Sequence, residues 1–97
     1  MKSDKIGLAI AGLGFGEAVH IPAIKTNEIF NPLALWHHRE ERLMESSAQN
    51  NIKPQQNWNN LLKDKEIQAI IIATPPEPRF QLAVEAIKAG KHLLLEK

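Results

Sequence analysis

The sequence predicts an α/β chain, a doubly wound parallel sheet of about five strands with helices between them. Three observations carry this. Short apolar runs alternate with segments of helical composition along the whole length, and one of those runs, IQAIIIA, is β-branched at most positions. A glycine cluster also stands directly after the first apolar run, where a strand must turn sharply into a helix.

The elements follow in order. Residues 5–11, KIGLAIA, form the first buried strand, ending at GLGFG. The next segment, EAVHIPAIKT, is helical in composition but interrupted. Pro22 lacks a backbone donor and disfavours helix at Ile21, which predicts a kink or two short turns. Residues 33–37, LALWH, make a second strand. Residues 39–49 suit a helix with an apolar stripe at Leu43, Met44 and Ala48, and Asn50 or Asn51 can take the left-handed conformation that closes it. A brief extended piece around Ile52 supplies a weak third strand.

Asn57 is placed to cap a short helix carrying Trp58, Leu61 and Leu62. Residues 67–73, IQAIIIA, form the fourth and strongest strand, its composition that of a strand covered on both faces. TPPEP punctuates, and residues 79–89 follow as a helix with Phe80, Ala83, Val84 and Ile87 on one face and Gly90 at its end. HLLLE, residues 92–96, is the last strand. No internal repeat, low-complexity segment or linker interrupts the alternation.

Composition narrows the function classes. A chain of 97 residues is one domain at most, with 43% hydrophobic and 24% charged residues, ordinary for a globular protein. The formal net charge is +1 and the charges are dispersed, which leaves no electrostatic footprint for nucleic acid or an anionic membrane. There is no cysteine, so disulfides and thiolate metal sites are excluded. The four histidines form no ligand set: His37 and His38 are adjacent and expected on opposite faces of a strand, while His20 and His92 are distant in sequence. No metal is expected. The N-terminus lacks the pattern of a signal peptide, no apolar run approaches the ~20 residues of a membrane span, and the expected location is the cytoplasm.

Three segments carry chemistry. GLGFGE places Gly12, Gly14 and Gly16 after the first strand, in a loop that lets backbone N–H groups approach a pyrophosphate at a helix N-terminus. The spacing is G-x-G-x-G rather than G-x-G-x-x-G, with Glu17 at the last position of the usual pattern. The plainer reading is a strand-to-helix turn, which needs one glycine rather than three. At the end of the second strand, where an acid would accept hydrogen bonds from the adenosine ribose of NAD, the chain has His37, His38 and Arg39. Arg39 could bind a 2′-phosphate bidentately, so NADP is favoured over NAD. The alternative is a solvated loop in which Glu40 or Glu41 serves the ribose. ATPPEPR ends the fourth strand beside the switch between strands one and four, where ligands sit in wound sheets. Its plainer reading is a strand terminator and helix start.

Together, GLGFGEAVHIPAI, ATPP and AGKHLLLEK occur in the order and spacing that resemble the N-terminal half of the Gfo/Idh/MocA family, the glucose–fructose oxidoreductase and inositol dehydrogenase group. The similarity runs over residues 5–97. It implies a Rossmann domain binding NAD(P), followed in the full-length protein by a larger substrate domain. In the same terms, Gly12, Gly14, Phe15 and Gly16 match the phosphate loop, and Ala73, Thr74 and Pro75 match the segment beside the cofactor. Glu96 and Lys97 match the strand end facing nicotinamide and substrate, where the lysine, the one catalytic residue expected here, helps to orient the reacting carbon. Two positions depart from the family pattern: Arg79 stands where many members have histidine, and the acid after the second strand is missing.

The resemblance further implies that residues 1–97 are an incomplete Rossmann domain, cut one residue before an expected proline, with the substrate domain absent. The full-length parent is then an oxidoreductase moving hydride to or from a sugar, cyclitol or related polyol. Its proton-transfer residue lies in the missing domain, and the fragment itself is expected to be inactive. His20 reads as a packing or capping residue rather than a base. The alternative is a stand-alone nucleotide-binding or sensing module, which has no need of Lys97. An uncovered last strand with apolar side chains invites pairing with another chain, so self-association is expected.

Overall fold

The computed structural model describes residues 5–13, 20–74 and 76–95. Strand β1 (Ile6–Ala11) is followed by helix α1 (Ile21–Lys25), strand β2 (Phe30–Trp36), helices α2 (Glu40–Asn50) and α3 (Trp58–Lys63), strand β3 (Ala69–Ile72), helix α4 (Pro76–Lys88) and strand β4 (His92–Leu95). The strands form one sheet in the order β2-β1-β3-β4, and every pairing is parallel.

The side-chain alternation of β1 divides the core. Leu8 and Ile10 join Leu13, Ile21 and Ile24 of α1, Leu43 of α2, Leu35 and Ile71 on one face. Ala9 and Ala11 join Leu61 of α3, Ile70, Ile72, and Leu82, Ala83 and Ala86 of α4 on the other. A strand buried on both faces cannot alternate with polar residues, which is why β1 and β3 read as continuous apolar runs.

The sheet has four strands where about five were expected. The weak third strand is reduced to an isolated bridge between Leu35 and Pro54. The Leu35 N–H donates to the Lys53 carbonyl at 2.9 Å and the Gln55 N–H donates to the Leu35 carbonyl at 2.8 Å. Strand β2 begins earlier than the sequence suggests, at Phe30, because Pro32 falls at an irregularity: Leu8 pairs with Pro32 and Ala9 with Ala34, leaving Leu33 as the extra residue.

Several helix details depart from expectation. Ile21 is helical despite preceding Pro22, which sits in the first turn of α1 where its missing N–H has no intrahelical acceptor to lose. Ile21 and Ile24 are buried, and that packing offsets the local preference. In α2 the buried face is Leu43, Ser46 and Ser47, while Met44 and Ala48 are exposed. The serines tolerate burial because the Ser47 hydroxyl donates to the Ile52 carbonyl and Asn50 Nδ2 donates to Ser46 Oγ at 3.2 Å. Of the expected α4 stripe, Ala83 is buried and Val84 half-buried, while Phe80, 76% exposed, and Ile87 face outward. The helix begins at Pro76, three residues before the expected start, and lays its small Ala83 and Ala86 on the sheet, where Phe80 would hold it off.

Other local signals are met. Asn51 is left-handed (φ 56°) and closes α2. The Asn57 side chain accepts from the Asn60 N–H at 3.0 Å, capping α3. Gly90 (φ 82°) ends α4 in a Schellman motif, with Lys91 N–H donating to the Ala86 carbonyl at 3.0 Å and Gly90 N–H to the Ile87 carbonyl at 2.9 Å. No helix among the described residues is long and apolar enough to cross a membrane.

Candidate functional site at the carboxyl ends of the strands

Because all the pairings are parallel, every strand delivers its last residue to the same edge of the sheet. The final paired row runs Trp36–Ala11–Ile72–Leu95. The chain leaves β1 for β2 on one side and later returns to place β3 on the other. A crevice therefore opens between β1 and β3, the topological switch point at which wound sheets take ligands.

Gly12 is the first residue beyond β1 and stands in that crevice. Its N–H donates to the Trp36 carbonyl at 3.0 Å, and its φ of 98° is a conformation that side chains disfavour. A Cβ at this position would lie 2.8 Å from the Ala73 carbonyl carbon and oxygen and 2.9 Å from the Thr74 nitrogen. The loop after β1 is thus held against the segment after β3 at backbone distance, and only glycine fits between them. Ala73 continues the contact, its N–H donating to the Ala11 carbonyl at 2.8 Å.

Thr74 is 6% exposed, and its hydroxyl has no hydrogen-bond partner among the described residues. Its carbonyl is occupied: Arg79 donates to it from Nε at 3.2 Å and from Nη2 at 2.9 Å. Arg79 was legible in the sequence only as a departure from a family pattern. The one signal that could have found this bond is Pro78, which removes the backbone N–H four residues beyond Thr74.

Beyond β2, His37 and His38 lie past the strand rather than on it. They do not point to opposite faces; their rings stack with centroids 4.4 Å apart and planes 27° from parallel. The strand ends at Trp36, so its alternation no longer governs them. The Arg39 N–H donates to His37 Nδ1 at 3.0 Å. Partial burial is the main cause holding His37 below the ordinary imidazole range, followed by the neighbouring charge of His38 and, more weakly, of Arg42 and Arg39. Arg39 is exposed and precedes α2 without capping it by its side chain. Glu40, the alternative ribose partner, accepts from Gln56 Nε2 at 3.1 Å.

Of the sequence-derived site residues, Gly12, His37, His38, Arg39, Ala73 and Thr74 come to this one edge. Gly14, Phe15, Gly16, Pro75, Glu96 and Lys97 lie outside the described residues. His20 occupies the cap position of α1 but makes no side-chain cap bond. It lines a separate apolar cleft of about 360 Å³ on the α1 face, with Ile24, Ile71 and Leu94. Among the described residues no group of histidine and acid side chains is arranged to hold a metal.

The arrangement fits a dinucleotide laid across the edge. A close backbone approach that only glycine allows, a buried hydroxyl without a partner among the described residues and the Arg39 guanidinium after β2 suit such a ligand.

Comparison with known proteins agrees. The family described as "Oxidoreductase family, NAD-binding Rossmann fold" matches residues 6–97. An uncharacterised oxidoreductase from Synechocystis is 39% identical over 99% of the chain and 26% of its own length. Galactose 1-dehydrogenase from Pseudomonas fluorescens is 31% identical over 95% of the chain and 29% of its own. An NAD-binding protein from Listeria innocua, solved by crystallography, superposes with a TM-score of 0.87 at 29% identity, covering 96% of the chain and 27% of that protein. The chain thus spans about a quarter of the length of the curated relatives it matches.

Proposed function

The chain belongs to the Gfo/Idh/MocA family of NAD(P)-binding oxidoreductases, and from that premise we propose that it is the cofactor-binding part of a dehydrogenase acting on a sugar, cyclitol or related polyol. The observation that carries the reading is the packing of Gly12 against Ala73 and Thr74, which brings the loop after β1 and the segment after β3 together at the switch point, where a wound sheet takes its ligand. The likeness to a galactose dehydrogenase supports the substrate class.

The nicotinamide, when bound, supplies or accepts the hydride. The work of this chain is to bind and orient it. Gly14, Phe15 and Gly16 are assigned by the family pattern to offer backbone N–H groups to the phosphates, and Gly12, whose own N–H is held by the Trp36 carbonyl, makes the close turn before them. The family pattern assigns Ala73, Thr74 and Pro75 to the segment beside the cofactor, and Glu96 and Lys97, which follow the last strand in sequence, to the nicotinamide end, with Lys97 orienting the reacting carbon. Arg39 brings a fixed positive charge, beside His37 and His38, to the turn where an adenosine 2′-phosphate would lie, which supports NADP over NAD.

Fluorescence titration with NADPH and, in parallel, NADH tests this. Saturable binding with NADPH the tighter is the expected result. Binding of NADH alone would retain the dinucleotide site and overturn the cofactor preference. Binding of neither, to protein folded by circular dichroism, would overturn the competence of this chain as a cofactor site.

A further inference from the structure

Resting on the dinucleotide reading of this site, we propose that Arg79 is a positioning residue: its guanidinium fixes the Thr74 carbonyl and so holds the buried Thr74 hydroxyl ready for the bound cofactor. The reason begins in the local sequence. Positions 75, 76 and 78 are proline and carry no N–H. A carbonyl just ahead of a helix ordinarily closes on the N–H four residues later, and four residues after Thr74 stands Pro78. The side chain of Arg79 reaches back instead, with Nε at 3.2 Å and Nη2 at 2.9 Å from that carbonyl.

The bond is charge-assisted and two-pronged, so it fixes orientation as well as distance. It acts on a segment already braced from the other side, since the Thr74 nitrogen is 2.9 Å from where a Gly12 Cβ would stand. Between these two restraints lies a hydroxyl that is buried and has no partner among the described residues. Leaving such a group unsatisfied is destabilising, and a cofactor oxygen or amide at the crevice would complete it. A lysine could not replace the fork, because an ammonium is a single point donor on a mobile stem.

The test compares the protein with Arg79→Gln, Arg79→Lys, Thr74→Val and the Arg79→Gln/Thr74→Val double variant, titrating each with NADPH and NADH and measuring unfolding in urea without cofactor. Arg79→Gln and Arg79→Lys are expected to weaken binding roughly tenfold, the scale of one charge-assisted hydrogen bond. Thr74→Val should do the same. The double variant should be no weaker than Thr74→Val alone, because both changes act through one hydroxyl. Arg79→Lys should keep the unfolding midpoint while losing affinity.

Unchanged affinity in the Arg79 variants would overturn the proposal, as would losses that simply add in the double variant. So would a lowered unfolding midpoint with intact affinity, which marks a structural role only. If Thr74→Val binds normally, the hydroxyl is unused and the proposal falls while the dinucleotide site stands. If the unsubstituted protein binds neither cofactor, the dinucleotide reading itself falls.

Discussion

A methyl group placed on Gly12 would stand 2.8 Å from the carbonyl carbon and oxygen of Ala73. The two residues follow neighbouring parallel strands, and their contact sets the width of the crevice at the switch point. Gly12→Ala should therefore strike stability and binding together. It forces a side chain into a φ of 98° and against backbone that cannot yield. A loss of about 1–3 kcal/mol is expected from urea unfolding, with NADPH binding abolished in whatever protein remains folded. Full-strength binding would show that the crevice is not the phosphate site.

Arg39→Ala should weaken NADPH about tenfold and leave NADH nearly unchanged, because only the phosphorylated ribose offers the guanidinium a partner. The NADPH affinity of the unsubstituted protein should also fall more steeply with salt. Equal losses for both cofactors would remove Arg39 from phosphate recognition.

His37 gives the fold a pH dependence of definite sign. Its pKa is lowered in the folded state, so below the ordinary value of 6.5 the unfolded chain binds more protons. The contribution is present above that value and is lost as pH falls toward the depressed folded pKa. The urea midpoint should decline as pH falls below the ordinary imidazole value of 6.5, and His37→Gln should flatten that part of the decline. An identical profile in the variant would assign the titration to other groups.

Asn57→Ala removes the acceptor for the Asn60 N–H and should cost about 1 kcal/mol in urea unfolding. Asn57→Asp should recover most of it. Cofactor affinity should not move, since α3 packs beneath the sheet rather than at its carboxyl edge.

Strand β4 is an edge of the described sheet, and Leu94 upon it is 56% exposed. Phe80 and Ile87 on α4 are exposed as well. Light scattering of this chain should show association that weakens when Leu94 is replaced by lysine. A sharp monomer mass in dilute solution would count against it.

Much of this molecule was written locally. The apolar runs of β1 and β3, the Asn57 cap, the Asn51 closure and the Gly90 terminus each depend on a few adjacent residues, and each could be read from them. The glycine after β1 and the residues after β2 and β3 were legible for the same reason: a parallel sheet sends all its strand ends to one edge once the alternation is recognised. What tertiary structure alone decided concerns contacts between distant segments. The sequence offered α4 one apolar stripe, Phe80, Ala83, Val84 and Ile87, and the sheet took Ala83 with Leu82 and Ala86 and left Phe80 and Ile87 outside, because a helix bearing Phe80 inward could not approach. It offered α2 Met44 and Ala48, and the fold buried Ser46 and Ser47, whose polar groups found partners in the turn beyond. The weak strand near Ile52 shrank to a single bridge between Leu35 and Pro54. The bond from Arg79 to the Thr74 carbonyl formed because prolines had emptied the backbone of donors there. Propensity and periodicity fix what a segment can become; which side chain is covered, and which carbonyl finds a donor, depends on neighbours that only folding brings within reach.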